Sequence, residues 1–134
     1  MKELNKTIEE LEKKKWGEPE SDSHLIKTCH ALRKKQLKNF TIEDLRIMLG
    51  QNIGNQFLIP LAIQALEKDI NAEGDFYPGD LLKSVLKSNT QYWRENSNNW
   101  GKVINTLNKQ KKTIEDLEDF EDEINFFSQI KTNR

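Results

Sequence analysis

Apolar positions along this chain recur at helical intervals almost throughout. Thr7 opens a helix to about Lys15, with Ile8 and Leu11 apolar, ended by Trp16 and Gly17. Ser23 caps a second helix with the stripe Leu25, Ile26, Cys29 and Leu32. Thr41 caps a third, carrying Ile42, Leu45, Met48 and Leu49 on one side, with Gly50 as the stop. A fourth, over about 56–68, is apolar on most sides through Phe57, Leu58, Ile59, Leu61, Ala62, Ile63, Ala65 and Leu66. A helix of that kind belongs inside a bundle, and Pro60 is tolerated there only in its first turn. Residues 75–80 read as a turn around Pro78 and Gly79, after which Asp80 opens a short helix with Leu81, Leu82, Val85 and Leu86. Trp100, Val103, Ile104 and Leu107 follow the i, i+3, i+4, i+7 rule. A last helix begins after Thr113 and carries Ile114, Leu117, Phe120, Ile124 and Phe127. Strand signals are scarce, since Val occurs only at 85 and 103 and no β-branched run alternates with polar residues. The pattern predicts a compact all-α, single-domain bundle of about six to seven helices over 1–134, with 1–15 as a peripheral N-terminal helix.

A Thr-Ile-Glu-acid pattern occurs at Thr7, Thr41 and Thr113, spaced by 34 and 72 residues. The first spacing equals the tetratricopeptide period, but the flanking sequences do not match at that period. Capping boxes explain all three copies: the Thr oxygen accepts an orphan backbone N–H, and the acids sit at the positive helix end.

Composition narrows the function classes. The 134 residues are 35% apolar and 32% charged, with a net charge of −1. A general nucleic-acid binder is usually strongly basic, so that class is not expected. A single cysteine excludes an internal disulfide framework. Residues 47–66 carry no charge, but Gln51, Asn52, Asn55, Gln56 and Gln64 argue against a membrane span. The opening MKELNKTIEELEKKK has no apolar run of signal-peptide length, so a cytoplasmic protein is expected. His24, Cys29 and His30 are the one cluster of reactive side chains in sequence. Cys29 and His30 point about 100° apart on a helix, which suits a shared metal poorly. No metal and no cofactor are therefore expected. His30 with a nearby carboxylate is the minimum for a small helical hydrolase, but a surface or half-buried histidine explains it more simply, and the chain is read as a non-enzyme.

Charge is unevenly distributed. Between 113 and 123 lie seven acids and no base, leaving +6 elsewhere. The basic clusters 13–15, 33–35 and 109–112 read as solvated helix faces, without interleaved aromatics for base stacking. The acidic cluster is weighed equally as a solvated face and as a surface for a basic partner.

WGEP at 16–19, LIKTCHALRKK at 25–35, FTIEDLRIMLGQNIG at 40–54, LIPLAIQALE at 58–67 and EGDFYPGDLL at 73–82 together resemble the bacterial contact-dependent growth inhibition (CDI) immunity proteins. The resemblance spans 16–85. It implies a cytoplasmic, non-enzymatic protein that binds the C-terminal toxin domain of a large surface protein and neutralises it. It favours a nuclease toxin, a ribonuclease first, whose basic cleft would meet carboxylates. The contact set is then expected to be Glu115, Asp116, Glu118, Asp119, Asp122 and Glu123, together with Glu73 and Asp75. Phe76, Tyr77, Pro78, Gly79 and Asp80 read mainly as a structural motif: the aromatics anchoring the turn on the core, Gly79 tightening it, Asp80 capping the helix. A helical scaffold or regulator without a toxin partner is the remaining alternative.

Overall fold

The computed structural model describes residues 2–133; Met1 and Arg134 lie outside the described residues. The α-helices are α1 (Ile8–Glu12), α2 (His24–Leu32), α3 (Ile42–Gly50), α4 (Asn55–Lys68), α5 (Asp80–Leu86), α6 (Thr90–Glu95), α7 (Ser97–Gln110) and α8 (Leu117–Ser128). Short 3-10 turns cover Lys2–Asn5, Leu37–Asn39 and Lys111–Thr113. Among the described residues there is no β-strand, only the isolated bridges Thr7–Gln36 and Glu73–Pro78. The architecture is all-α, as the periodicity predicts.

The apolar helix α4 buries Leu58, Ile59, Ala62, Ile63 and Leu66. Helices α3 and α5 pack on each other and on α4, α7 packs on α4 as well, and α8 lies against α5. Trp93, on α6, is fully buried with its ring edge-on to Phe127 at 4.9 Å. The helix bearing it has no apolar stripe in the sequence; its start is set by Asn89, whose side chain accepts the Gln91 N–H at 2.8 Å.

Two of the three capping boxes form. Thr7 exchanges hydrogen bonds with Glu10, and Thr41 with Asp44, in both directions at 3.0–3.1 Å. The third does not. Asn71 instead donates to the Thr113 carbonyl at 2.8 Å and accepts the Glu115 N–H at 3.1 Å. The Thr113 hydroxyl donates to the Gln110 carbonyl, and helix resumes only at Leu117. A tertiary clamp has taken the backbone groups that a local cap would use.

Other boundaries differ for equally local reasons. α1 stops at Glu12, because Lys13 turns left-handed at φ 56°. α3 runs through Gly50, and the stop is Asn52 at φ 55°. The Ile53 N–H reaches the Met48 carbonyl at 2.9 Å and the Asn52 N–H the Leu49 carbonyl at 3.1 Å, a Schellman closure. Pro60 lies in the second turn of α4, not its first. The carbonyl it leaves unpaired is that of Gln56, an exposed residue that water reaches. On α2 only Cys29 and Leu32 are buried, while Leu25 and Ile26 are 42% and 41% exposed.

The basic cluster 33–35 is not wholly a solvated face, because Arg33 is completely buried. Its guanidinium donates to Glu12 Oε1 at 2.5 Å and twice to the Lys14 carbonyl at 3.0–3.1 Å. It also lies 4.3 Å from the centre of the Trp16 ring. Arg33 thereby fastens the chain after α1 onto α2.

Candidate functional site

The turn between α4 and α5 is organised by one carboxylate. Asp80 is 3% exposed and is the first residue of α5, behind the left-handed Gly79. Its carboxylate does not cap the helix, as the sequence suggests, but reaches back along the turn. It accepts the N–H of Gly74 at 2.7 Å, of Phe76 at 3.1 Å and, at the distance limit, of Tyr77 at 3.5 Å. Arg46 from α3 approaches it at 3.8 Å. Arg46 is itself gripped by both oxygens of Glu43 at 2.5 and 2.6 Å, and Glu43 accepts the Asp75 N–H at 2.9 Å. The Arg46 hydrogen bond, supported by that N–H, holds the Glu43 carboxyl below its usual range against the opposing effect of burial. Gly79 is needed twice: its φ is +87°, and a Cβ there would come within 2.7 Å of the Phe120 ring.

The aromatics of the turn do not anchor on the core. Phe76 is 68% exposed and Tyr77 43% exposed. Phe76 rests one face over the Arg46 guanidinium at 4.4 Å. The anchor is the Gly79–Phe120 contact, which also places the turn beside α8.

The structure brings two segments remote in sequence onto one side. Lys83 on α5 donates to the Asp119 carbonyl at 2.6 Å and to the Glu123 carboxylate at 2.7 Å, and its ammonium lies 4.6 Å from the Phe120 ring centre. Glu123 is therefore half-buried and paired rather than largely exposed, and Lys83 draws its carboxyl below the usual range. Asp119 and Asp122 stay exposed, as do Glu118, Glu115 and Asp116. On α8 the positions 119, 122, 123 and 126 share the side facing α5, while Glu118 lies farther round the helix. Glu115 and Asp116 precede the helix. Glu73 borders a different hollow, of about 660 Å³, with Leu37, Phe40, Leu61 and Ala72.

A depression of about 170 Å³ is lined by Arg46, Phe76, Tyr77, Lys83 and Lys87. A second, of about 300 Å³, shares Lys87 and is lined by Asp122, Glu123 and Phe126. Phe126 is 60% exposed. It is a candidate site residue that the sequence reading passes over, because an aromatic on a helix is ordinarily assigned to the core.

The reactive cluster does not converge. Cys29 is buried, and burial pushes its thiol up. His30 Nδ1 pairs with the Gly17 carbonyl at 3.2 Å, and its ring meets Trp16 edge-on at 5.1 Å. Among the described residues no three His, Cys, Asp or Glu side chains gather to hold a metal. No helix of the described residues is long and apolar enough to cross a membrane.

These features describe a small helical protein whose irregular turn is locked in place and whose polar face carries exposed aromatics. A family model described as CDI immunity proteins matches residues 10–103. The chain belongs to this family. The match extends beyond both ends of the motif-bearing stretch 16–85; it includes the 73–80 turn and ends before α8. No curated protein and no solved structure matches the chain.

Proposed function

We propose that this chain binds the C-terminal toxin domain of a contact-dependent growth inhibition system in the cytoplasm and neutralises it, and that the toxin is a nuclease, with ribonuclease the favoured class. Family membership over residues 10–103 is the observation that carries the toxin partner. The toxin's class is supported by charge: Asp75 on the 73–80 turn and Asp119 and Asp122 on α8 are exposed, and among the described residues none is in an ion pair. A cleft built for phosphates is basic, and such carboxylates complement it.

Neutralisation by occlusion is stoichiometric. The test is titration of the purified toxin domain, encoded immediately upstream, against an RNA substrate with increasing amounts of this protein. Full inhibition is expected at one equivalent, with an affinity that falls as salt rises. A His30→Ala variant is expected to inhibit equally. Inactivation by a small fraction of an equivalent would make the protein an enzyme, and absence of a complex at low salt would remove the toxin reading.

A further inference from the structure

The turn chemistry of 73–80 leaves two residues unexplained. Gly74, Gly79 and Asp80 form and lock the backbone, and Pro78 joins the Glu73 bridge. Phe76 and Tyr77 form none of the backbone lock: their side chains are 68% and 43% exposed, and neither belongs to the packed core. The turn's backbone conformation asks for small polar residues at those two positions rather than large aromatics. Yet the backbone N–H groups of both are held by a buried carboxylate, and the Phe76 ring is seated on a guanidinium that is itself clamped by Glu43. Phe76 is thus presented in a fixed geometry, with Tyr77 next to it on the same locked turn.

We propose that the 73–80 turn presents Phe76 and Tyr77 as the anchor residues of the toxin interface, inserted into a cationic cleft of the toxin domain, with Asp75, Asp119 and Asp122 forming its electrostatic rim. This rests on the toxin-binding reading above. Anchors of protein interfaces are typically large aromatics filling pockets, and side chains already ordered before binding lose less entropy on association. The occupant follows from charge. The depression beneath Phe76 and Tyr77 contains Arg46, Lys83 and Lys87, but Arg46 is neutralised by Glu43 and Lys83 by Glu123. Lys87 is the exposed cation left there, and it is outnumbered by the exposed Asp75, Asp119 and Asp122; Asp122 lines the neighbouring hollow together with Lys87, Glu123 and Phe126, a third exposed aromatic. A cleft with arginine and lysine walls fits such a face, the guanidinium planes stacking on the rings.

The experiment is association and dissociation kinetics of the full chain against the purified toxin domain encoded immediately upstream. The Phe76→Ala/Tyr77→Ala double variant is expected to melt within a few degrees of wild type and to dissociate about 30-fold faster or more, with association changed less than about threefold. Asp75→Asn/Asp119→Asn/Asp122→Asn is expected to do the reverse: slower association, a flatter salt dependence and a nearly unchanged dissociation rate. A Leu25→Ser/Ile26→Ser variant tests the other exposed apolar pair, on α2, and is expected to bind as wild type. Wild-type binding with dissociation of the aromatic double variant within twofold overturns the anchor role. Faster dissociation in the α2 variant instead moves the contact there and overturns it too. Failure of the wild-type protein to bind removes the toxin reading itself, a result separate from either.

Discussion

Replacing Asp80 by Asn tests whether one buried carboxylate holds the whole turn. The change keeps the volume and removes the charge. Asn has one acceptor oxygen where the carboxylate has two, so it can keep the 2.7 Å bond from Gly74 N–H or the 3.1 Å bond from Phe76 N–H, not both. Its amide N–H groups then confront a backbone donor and the Arg46 guanidinium, which lies 3.8 Å from the native oxygen. One charge-assisted hydrogen bond contributes about 1.5–3 kcal/mol. Only one of the two bonds is lost and the turn is otherwise at the surface, so the loss falls toward the lower part of that range. The Tyr77 contact, at 3.5 Å, adds little. The expected destabilisation is about 2 kcal/mol, or roughly 6–8 °C in melting temperature for a chain of this size. Urea unfolding followed by circular dichroism measures it, with the slope against denaturant unchanged if only stability is altered. A value within about 0.5 kcal/mol of wild type would refute the reasoning, because a surface substitution produces that much.

Three further outcomes follow from the same geometry. Gly79→Ala should cost about 2–4 kcal/mol, from a left-handed backbone and a Cβ that would meet the Phe120 ring at 2.7 Å, whereas Gly101→Ala, inside α7 with open space around it, should stabilise by about 0.5–1 kcal/mol; thermal unfolding of the pair checks both signs. Arg46 depresses the Glu43 carboxyl and Lys83 that of Glu123, so their stabilisation is present above the ordinary value of 4.5 and is lost as pH falls through the lowered folded values. Stability measured from pH 6 to 3 should therefore drop on acidification, and Glu43→Gln should flatten that drop. Arg33→Met should cost about 2–4 kcal/mol, and native-state trypsin cleavage at 13–15 should accelerate, because the Lys14 carbonyl and Glu12 lose their buried donor; cleavage at the wild-type rate would contradict the fastening role.

The helices were legible because their signals are local. Thr7, Ser23 and Thr41 cap as their side chains alone predict, and the α4 stripe follows from spacing. What was not legible depends on partners far along the chain. Asn71 cancels the third capping box from 42 and 44 residues away. Arg33 looks like part of a lysine run until Glu12, Lys14 and Trp16 are seen to enclose it. In the candidate site, the sequence identified the segments but assigned them differently. Asp80 was legible as a polar group at a helix start, yet its direction was set by the turn folding back over it. Phe76 and Tyr77 were read as core anchors because aromatics usually are. Glu123 is set apart from Asp119 and Asp122 by Lys83, one helix away, which pairs with its carboxylate but takes only the carbonyl of Asp119.

Arg33 and Asp80 perform parallel tasks, and that parallel bears on how the surface works. Both are buried charges, and both bind backbone groups of irregular segments: the Lys14 carbonyl in one case, the N–H groups of 74, 76 and 77 in the other. Between its ends a helix satisfies its own backbone, so the middles of α3 and α5 need only apolar packing. An irregular segment cannot do so, and its conformation must be specified from outside. Buried ionic groups contribute little net stability relative to apolar replacements, but a half-satisfied one is costly, which penalises every alternative arrangement of the segment it holds. The helical bundle could therefore survive loss of Asp80 while the turn loses its single conformation. Binding would then weaken although Phe76, Tyr77 and every exposed carboxylate remained in place.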